Sequence, residues 1–351
     1  MKIFQCGNAG VSVQVVWWGH PDTTASLALD HFFGLDDETV SAASQYGAEQ
    51  LVRLEHLNTA RYSPNPAPSL DEEPYSLGNG DDCGPSTMQG RVGEREDTLE
   101  TFGLAWNRFF ETFAFPGQSC ARSTRIFLVL GRLFKLHPDF DVIILRLLAA
   151  APHAVVALIT ERQEIWTSDV WARLSAAAQT TGTLEALKRV RFVNHWNYIR
   201  VLRLPETVAV LDTWPYGGCL TALEAMSHSR PVITLPSPFS RGRFALSMYR
   251  QMGLAPLTTS HYRHSFAPES SIVAGNPAST AVSGGFPWGL VASDPDNLIA
   301  AAVSLASDAA HRRRLRALVT EGYASSLHRN ADAAHEWARA IRGLHAQTLG
   351  A

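Results

Sequence analysis

The sequence predicts an α/β protein: a mostly parallel sheet wound on both faces by helices. Three observations carry that expectation. From about residue 122 onward, short runs rich in Val, Ile and Phe alternate with longer stretches at helical spacing. That alternation is the pattern of βαβ units. And one stretch, "LDTWPYGGCLTALEAMSHSRPVITLP" (211–236), shows a complete unit: apolar run, Pro-Tyr-Gly-Gly bend, helix-like segment, second apolar run. In a parallel sheet such a bend falls at the carboxyl edge, where ligands bind.

The elements follow in chain order. "VSVQVVWW" (11–18) is β-branched and aromatic and reads as a buried strand; "GHPDTT" follows as a turn, and "QLVRLE" (50–55) is a second strand. From Ser63 to about Asp97 the chain is dominated by Pro, Gly, Ser and Asp, which predicts a linker or insertion, here bounded at 63–121. Order resumes with strand "TRIFLVLG" and helix "PDFDVIILRLLAAAP", then strand "HAVVALIT" and helix "WTSDVWARLSAAAQ". Strand "RVRFVN" and short helix "YIRVLRL" come next, then strand "TVAVLDT", helix "CLTALEAMSH" and strand "PVITLP". "RGRFALSMYRQMG" reads as a helix stopping at Gly253. A second irregular stretch, near 258–287, reads as a disordered insertion, and the tail from Asn297 reads as helical throughout. The expected division is a doubly wound domain over 122–347, preceded by residues 1–62, which hold too few strands for a sheet with its own core and look like the end of another domain.

At 351 residues the chain is long enough for two domains. Thirty basic against 33 acidic residues leave a net charge of −3, which points neither to nucleic acid nor to disorder. The run "HRRRLR" (311–316) reads as a solvated helix face. Cys6, Cys83, Cys120 and Cys219 form no CxxC pair, so neither a zinc site nor a disulfide framework is indicated. With neither a secretory signal nor an apolar run of membrane-spanning length, the reading is a soluble intracellular protein with no membrane partner.

The bend carries the chemistry. Gly217 and Gly218 allow close backbone approach, and the following helix offers free N–H groups and its positive dipole end to a phosphate. Thr221 in the first turn can add its hydroxyl. Glu224, on the same face, would repel phosphate but can accept from ribose hydroxyls. The ligand implied is a nucleoside diphosphate, although the same bend also fits a tight strand–helix connection with a capping threonine. In "LGRLFKLHPDFD" (130–141), Lys135 comes from the same sheet edge and can neutralise a diphosphate leaving group in place of a metal ion. Arg243 opens another helix after another strand, where the dipole does not favour a cation.

The ordered set "LFKLHPDFD", "LDTWPYGG", "LTALEAM", "PVITLP" and "RGRFALSMYRQMGL" resembles the catalytic region of the O-GlcNAc transferase family, including its SPINDLY-like relatives. The resemblance covers roughly 11–62 and 122–345. It implies a GT-B fold, with two Rossmann-like domains facing across a cleft, and inverting, metal-independent transfer of a sugar from a UDP or GDP donor to Ser or Thr of proteins. It places Lys135 on the donor phosphates with Phe134 beside it, Gly218 and Thr221 in the pyrophosphate loop, Glu224 toward the ribose, and Arg243 at the helix after "TLP". Gly19 and Pro21 in "GHPDT" match a "GYPGT" turn lining the sugar pocket. The donor it implies is UDP-N-acetylglucosamine, with no further cofactor and no metal, in cytoplasm or nucleus.

There are departures. Cys219 and Leu220 stand where the family has hydroxyl or amide side chains. A family lysine and histidine near the nucleotide fall at about Asn197 and Arg200; Arg200 can still bind phosphate, and His195 lies close by. His20 is not the family's catalytic-region histidine, which precedes the "GYPGT" turn. The chain opens about 18 residues before that turn, so the resemblance implies an incomplete first domain and no tetratricopeptide repeats. A nucleotide-sugar-binding or partner-binding module without turnover stays open, whereas "FKLHPDFD" and "RGRFALSMYRQMGL" argue against a different GT-B chemistry such as epimerisation.

Overall fold

The computed structural model describes residues 3–6, 13–17, 25–35, 48–57, 63–67, 124–160, 164–195, 198–255 and 289–350. Among these the chain forms two sheets. The first contains β1 (Ile3–Cys6), β2 (Val13–Trp17), β3 (His31–Leu35) and β4 (Gln50–Leu54) in that spatial order, with β1 antiparallel to β2 and the rest parallel. β2 and β4 are the two strands that the sequence predicts here; β1 and β3, which it does not predict, complete a four-stranded sheet. Strand alternation divides the apolar residues between the two faces. Val13, Val15, Phe33, Leu35 and Leu54 join the main core, while Val16, Leu29 and Phe32 form a small cluster with Leu51.

The second sheet contains β5 (Arg125–Val129), β6 (Ala154–Thr160), β7 (Val190–Asn194), β8 (Thr207–Leu211) and β9 (Val232–Ile233), all parallel, in the order β7-β6-β5-β8-β9. Covered on both faces, its central strands are apolar without alternation: Ile126, Phe127 and Leu128 are all fully buried. The order also places a switch point. From β5 the chain winds outward through β6 and β7, then returns to β5's other side with β8. The loops leaving β5 and β8 therefore come together at the carboxyl edge, the place where open α/β sheets bind ligands.

Helices α1 (Pro138–Ala150), α2 (Glu164–Thr181), α3 (Leu184–Leu187), α4 (Tyr198–Arg203) and α5 (Leu220–Ser227) connect these strands, α6 (Phe244–Gln251) follows β9, and α7 (Pro295–Ser307), α8 (Ala309–Gly322) and α9 (Ala331–Gly350) form the tail. α1 starts at Pro138, where the missing N–H costs nothing, and His137 caps it by accepting the Asp139 amide. Its buried Asp141 accepts from Arg173 of α2 at 2.7 Å. Burial pushes the Asp141 carboxyl up, and the Arg173 guanidinium works against that rise. The tail is not one continuous helix. Asp308 ends α7 and caps α8 by accepting the His311 amide at 2.9 Å, and a π-helical turn, Tyr323–Leu327, follows α8.

The "HRRRLR" run is only partly a solvated face. Arg313 and Arg314 are exposed, but Arg316 donates to the carbonyl of Thr207 at 2.8 Å and Arg312 to that of Leu305 at 2.7 Å. "PVITLP" yields only a two-residue strand, because Thr234 exchanges backbone bonds with Leu290 and Ala292 beyond it.

Helix α9 crosses to the first sheet. The Trp337 ring packs edge-on against Trp17 at 4.7 Å and Phe33 at 5.3 Å, and Glu336 accepts the amides of Glu55 and His56. Residues 63–67 are tied to the second sheet's helices: Tyr323 donates to the Pro64 carbonyl at 2.6 Å, and the Ala67 amide to Ser227 at 2.8 Å. The rest of the expected linker and the insertion near 258–287 lie outside the described residues. Among the described residues no helix is long and apolar enough to cross a membrane.

Candidate functional site

The carboxyl edge at the switch point is built by two loops. The first runs from Leu130 to His137 after β5, through a 3-10 turn at Leu133–Lys135. Gly131 opens it, because a Cβ there would run into the Thr213 side chain of the facing loop. The second is the bend from Asp212 to Cys219 between β8 and α5. Three consecutive residues of the first loop lie antiparallel along the second. The Lys135 Nζ stands 3.6 Å from the Tyr216 ring centroid, Leu136 bridges to Pro215, and the His137 ring meets Trp214 edge-on at 5.7 Å. Lys135 is thus held beside the glycine bend by a cation–π contact. Burial pulls its ammonium below the ordinary lysine range, and the negative charge of Asp212 acts in the opposite direction.

Asp212 organises the bend from beneath. It is 6% exposed, and its carboxylate accepts the Gly218 amide at 2.7 Å and the Thr234 hydroxyl at 2.8 Å. Burial pushes this carboxyl up to about 6, with the Gly218 and Thr234 bonds and Lys135 holding it from rising further. Thr213 donates to the Tyr216 carbonyl at 2.5 Å. The Gly217 amide donates to Arg241 at 2.8 Å, so the loop Ser237–Arg243 closes the bend from its other side. A Cβ on Gly242 would meet the Pro215 carbonyl at 2.5 Å.

Both glycine amides are therefore committed within the bend. They shape it; the N–H groups left for a ligand are those that open α5, from Cys219 to Ala222, which have no acceptor one turn earlier in the helix. Thr221 sits half-buried in that first turn, with its hydroxyl against Gly218. Burial pushes the Cys219 thiol up to about 12, so this side chain is a neutral thiol. Glu224, one turn on, accepts from the Tyr198 hydroxyl at 2.9 Å, and burial with that neighbouring carboxylate raises Tyr198 to about 12.

The structure thus brings Lys135, Gly217, Gly218 and Thr221 into one place, with Glu224 and its partner Tyr198 a turn further along α5. Arg200 is exposed on α4, the helix that carries Tyr198, and His195 follows β7, half-buried. Arg243 is not brought to the open edge: it is fully buried and donates from Nη1 to the Ser237 carbonyl, bracing the loop behind the bend. Gly19 and Pro21 lie outside the described residues. Asp212, Tyr216 and Tyr198 escaped the sequence reading. For Asp212 the signal was present: an apolar strand ending in a carboxylate directly before a glycine bend. Among the described residues no group of three or more His, Cys, Asp or Glu side chains is placed to hold a metal ion.

No family model matches the chain, and no curated protein matches it by sequence. Solved structures do. A mutant O-GlcNAc transferase of Thermobaculum terrenum superposes with a TM-score of 0.61 at 21% identity, over 96% of this chain and 49% of that one. A UDP-forming trehalose-phosphate synthase of Burkholderia vietnamiensis gives 0.43 at 10% identity, over 91% and 62%. A pneumococcal O-GlcNAc transferase in complex with UDP and GlcNAc gives 0.32 at 11%, over 63% and 36%. Only the first likeness is close enough to carry an argument, and at that identity it speaks to architecture alone; this chain spans about half of that protein's length. The chain has the α/β architecture of the GT-B glycosyltransferases, with Rossmann-like parallel sheets.

Proposed function

We propose that this chain carries the donor site of a glycosyltransferase of the O-GlcNAc-transferase type. It takes a sugar, N-acetylglucosamine, from a UDP-sugar to Ser or Thr hydroxyls of proteins, with inversion and without a metal. The observation that carries the reading is the placement of the Lys135 ammonium over Tyr216, at the switch point and beside the start of α5. Positive charge and oriented amides there meet the two phosphoryl groups of the donor. The acceptor oxygen attacks the anomeric carbon from the opposite face while the bond to the β-phosphate oxygen breaks, and the hydroxyl proton leaves to solvent. Charge develops on the departing UDP, where Lys135 and the helix dipole are already in place, so the stabilisation grows toward the transition state. Glu224, oriented by Tyr198, accepts from the ribose hydroxyls. The partners are a nucleotide sugar and a protein hydroxyl, in cytoplasm or nucleus.

The test is transfer itself. The chain is incubated with UDP-N-acetylglucosamine, or with a GDP-sugar, and a Ser/Thr-rich peptide, and the peptide is followed by mass spectrometry. A hexosamine adduct that depends on Lys135 is the expected result. UDP binding with no adduct would favour a nucleotide-sugar-binding module, and no binding of either nucleotide would remove the donor site altogether.

A further inference from the structure

We propose that Asp212 is a further residue of this site, the resident anion of the donor pocket, and that binding of the donor's diphosphate drives a proton onto its carboxylate. The inference rests on the donor reading above. In the free protein the carboxylate occupies the Gly218 amide and the Thr234 hydroxyl, fills the space beneath Gly217, and supplies negative charge to Lys135. A diphosphate seated on Lys135 and the opening amides of α5 brings two more negative charges to the same lysine. Like charges at close range in a buried setting cannot all stay ionised, and the weakest acid takes the proton. A nucleotide sugar's diphosphate is a strong acid at both phosphates, so the proton goes from solvent to Asp212.

The titratable and charged groups around the carboxylate single it out. Lys135 faces it from the 3-10 turn, Cys219 from the start of α5 and Tyr249 from α6, and Arg132 acts on Lys135. Burial raises both Cys219 and Tyr249, so neither is ionised near neutrality and neither can take up a proton. Asp212 already lies near 6, within reach of neutral pH, and nearby anionic phosphate raises it further. The sign follows: bound donor favours protonated Asp212, so affinity rises as pH falls.

The experiment is calorimetric titration of the full chain with UDP-N-acetylglucosamine, whose diphosphate does not titrate near neutrality, at pH 6, 7 and 8. At pH 7 it is repeated in two buffers of different ionisation enthalpy, which counts protons. The wild type should take up a large fraction of one proton at pH 7 and bind about tenfold tighter at pH 6 than at pH 8. Asp212→Asn preserves both hydrogen bonds, with its amide oxygen on Gly218 and its NH2 on the Thr234 oxygen. It should bind with no uptake and a flat profile. His137→Gln, which removes the histidine edge-on to Trp214, should keep the uptake. Binding without uptake in the wild type, or undiminished uptake in Asp212→Asn, overturns the inference and leaves the donor site standing. No binding at any pH overturns both.

Discussion

Gly217→Ala adds one methyl group where the structure leaves no room for it. The new Cβ would stand 2.7 Å from Oδ2 and 3.0 Å from Oδ1 of Asp212, against an ordinary carbon–oxygen contact of at least 3.4 Å. The carboxylate cannot simply retreat, because one oxygen holds the Gly218 amide at 2.7 Å and the other the Thr234 hydroxyl at 2.8 Å. The φ of Gly217 is not in the left-handed region, so the penalty is steric and no torsional strain adds to it. Relief requires giving up at least one hydrogen bond to a buried, charged group, a loss of about 1.5–3 kcal/mol. Urea unfolding should show the unfolding free energy falling by that amount, through a lower midpoint at an unchanged slope. Gly343→Ala is the control: nothing lies within 4 Å and it sits inside α9, so it should stabilise by about 0.5–1 kcal/mol. Asp212→Ala in the Gly217→Ala background should cost less than the sum of the two single changes, since it removes the clash. A Gly217→Ala protein within 0.5 kcal/mol of wild type, roughly the range of a neutral surface change, would refute the claim that Asp212 braces the bend.

Two further substitutions probe other joints. Tyr198→Phe removes only the hydroxyl that fixes Glu224 at 2.9 Å. UDP binding should weaken by about threefold to tenfold, on the order of 1 kcal/mol, while 2′,3′-dideoxy-UDP, which has no ribose hydroxyls to offer, should bind both proteins alike. Equal losses for the two ligands would show that Tyr198 does not act through the ribose. Trp337→Ala removes a 7%-exposed ring wedged against Trp17 and Phe33. It should cost about 3–5 kcal/mol in urea unfolding, and a loss under about 1 kcal/mol would mean that α9 does not hold the first sheet.

The second sheet was legible because its strands are buried on both faces. Runs such as "RIFLV" and "AVVALIT" contain little but apolar residues, and periodicity has nothing to compete with. β3 was not legible: "HFFGL" is short and lies between acidic residues, and its two faces are covered from distant parts of the chain, Phe33 by the α9 indole and Phe32 by Val16 and Leu29. "PVITLP" was read too long: beyond Val232–Ile233 the described pairing is that of Thr234 with Leu290 and Ala292, a partner that sequence order does not announce. The break at Asp308 could have been read, since an Asp before "AAH" is an N-cap signal. At the site, the glycine bend and Lys135 were visible as separate features. That Lys135, Leu136 and His137 lie antiparallel along Tyr216, Pro215 and Trp214 is a property of strand order, because β5 and β8 become neighbours only when the sheet closes. Arg243 misled for a related reason: a cation at a helix start suggests an anion outside, but this side chain turns inward to the Ser237 carbonyl.

In the proposed function the Lys135 ammonium and the start of α5 grip a nucleoside diphosphate at the switch point. The most direct measurement is the dissociation constant of UDP for the wild type and for Lys135→Ala, by calorimetry at fixed ionic strength. Removing one charge-assisted hydrogen-bond donor should weaken binding by about 10- to 100-fold, corresponding to 1.5–3 kcal/mol, with the urea midpoint little changed. UDP bound equally well by both proteins would contradict the claim.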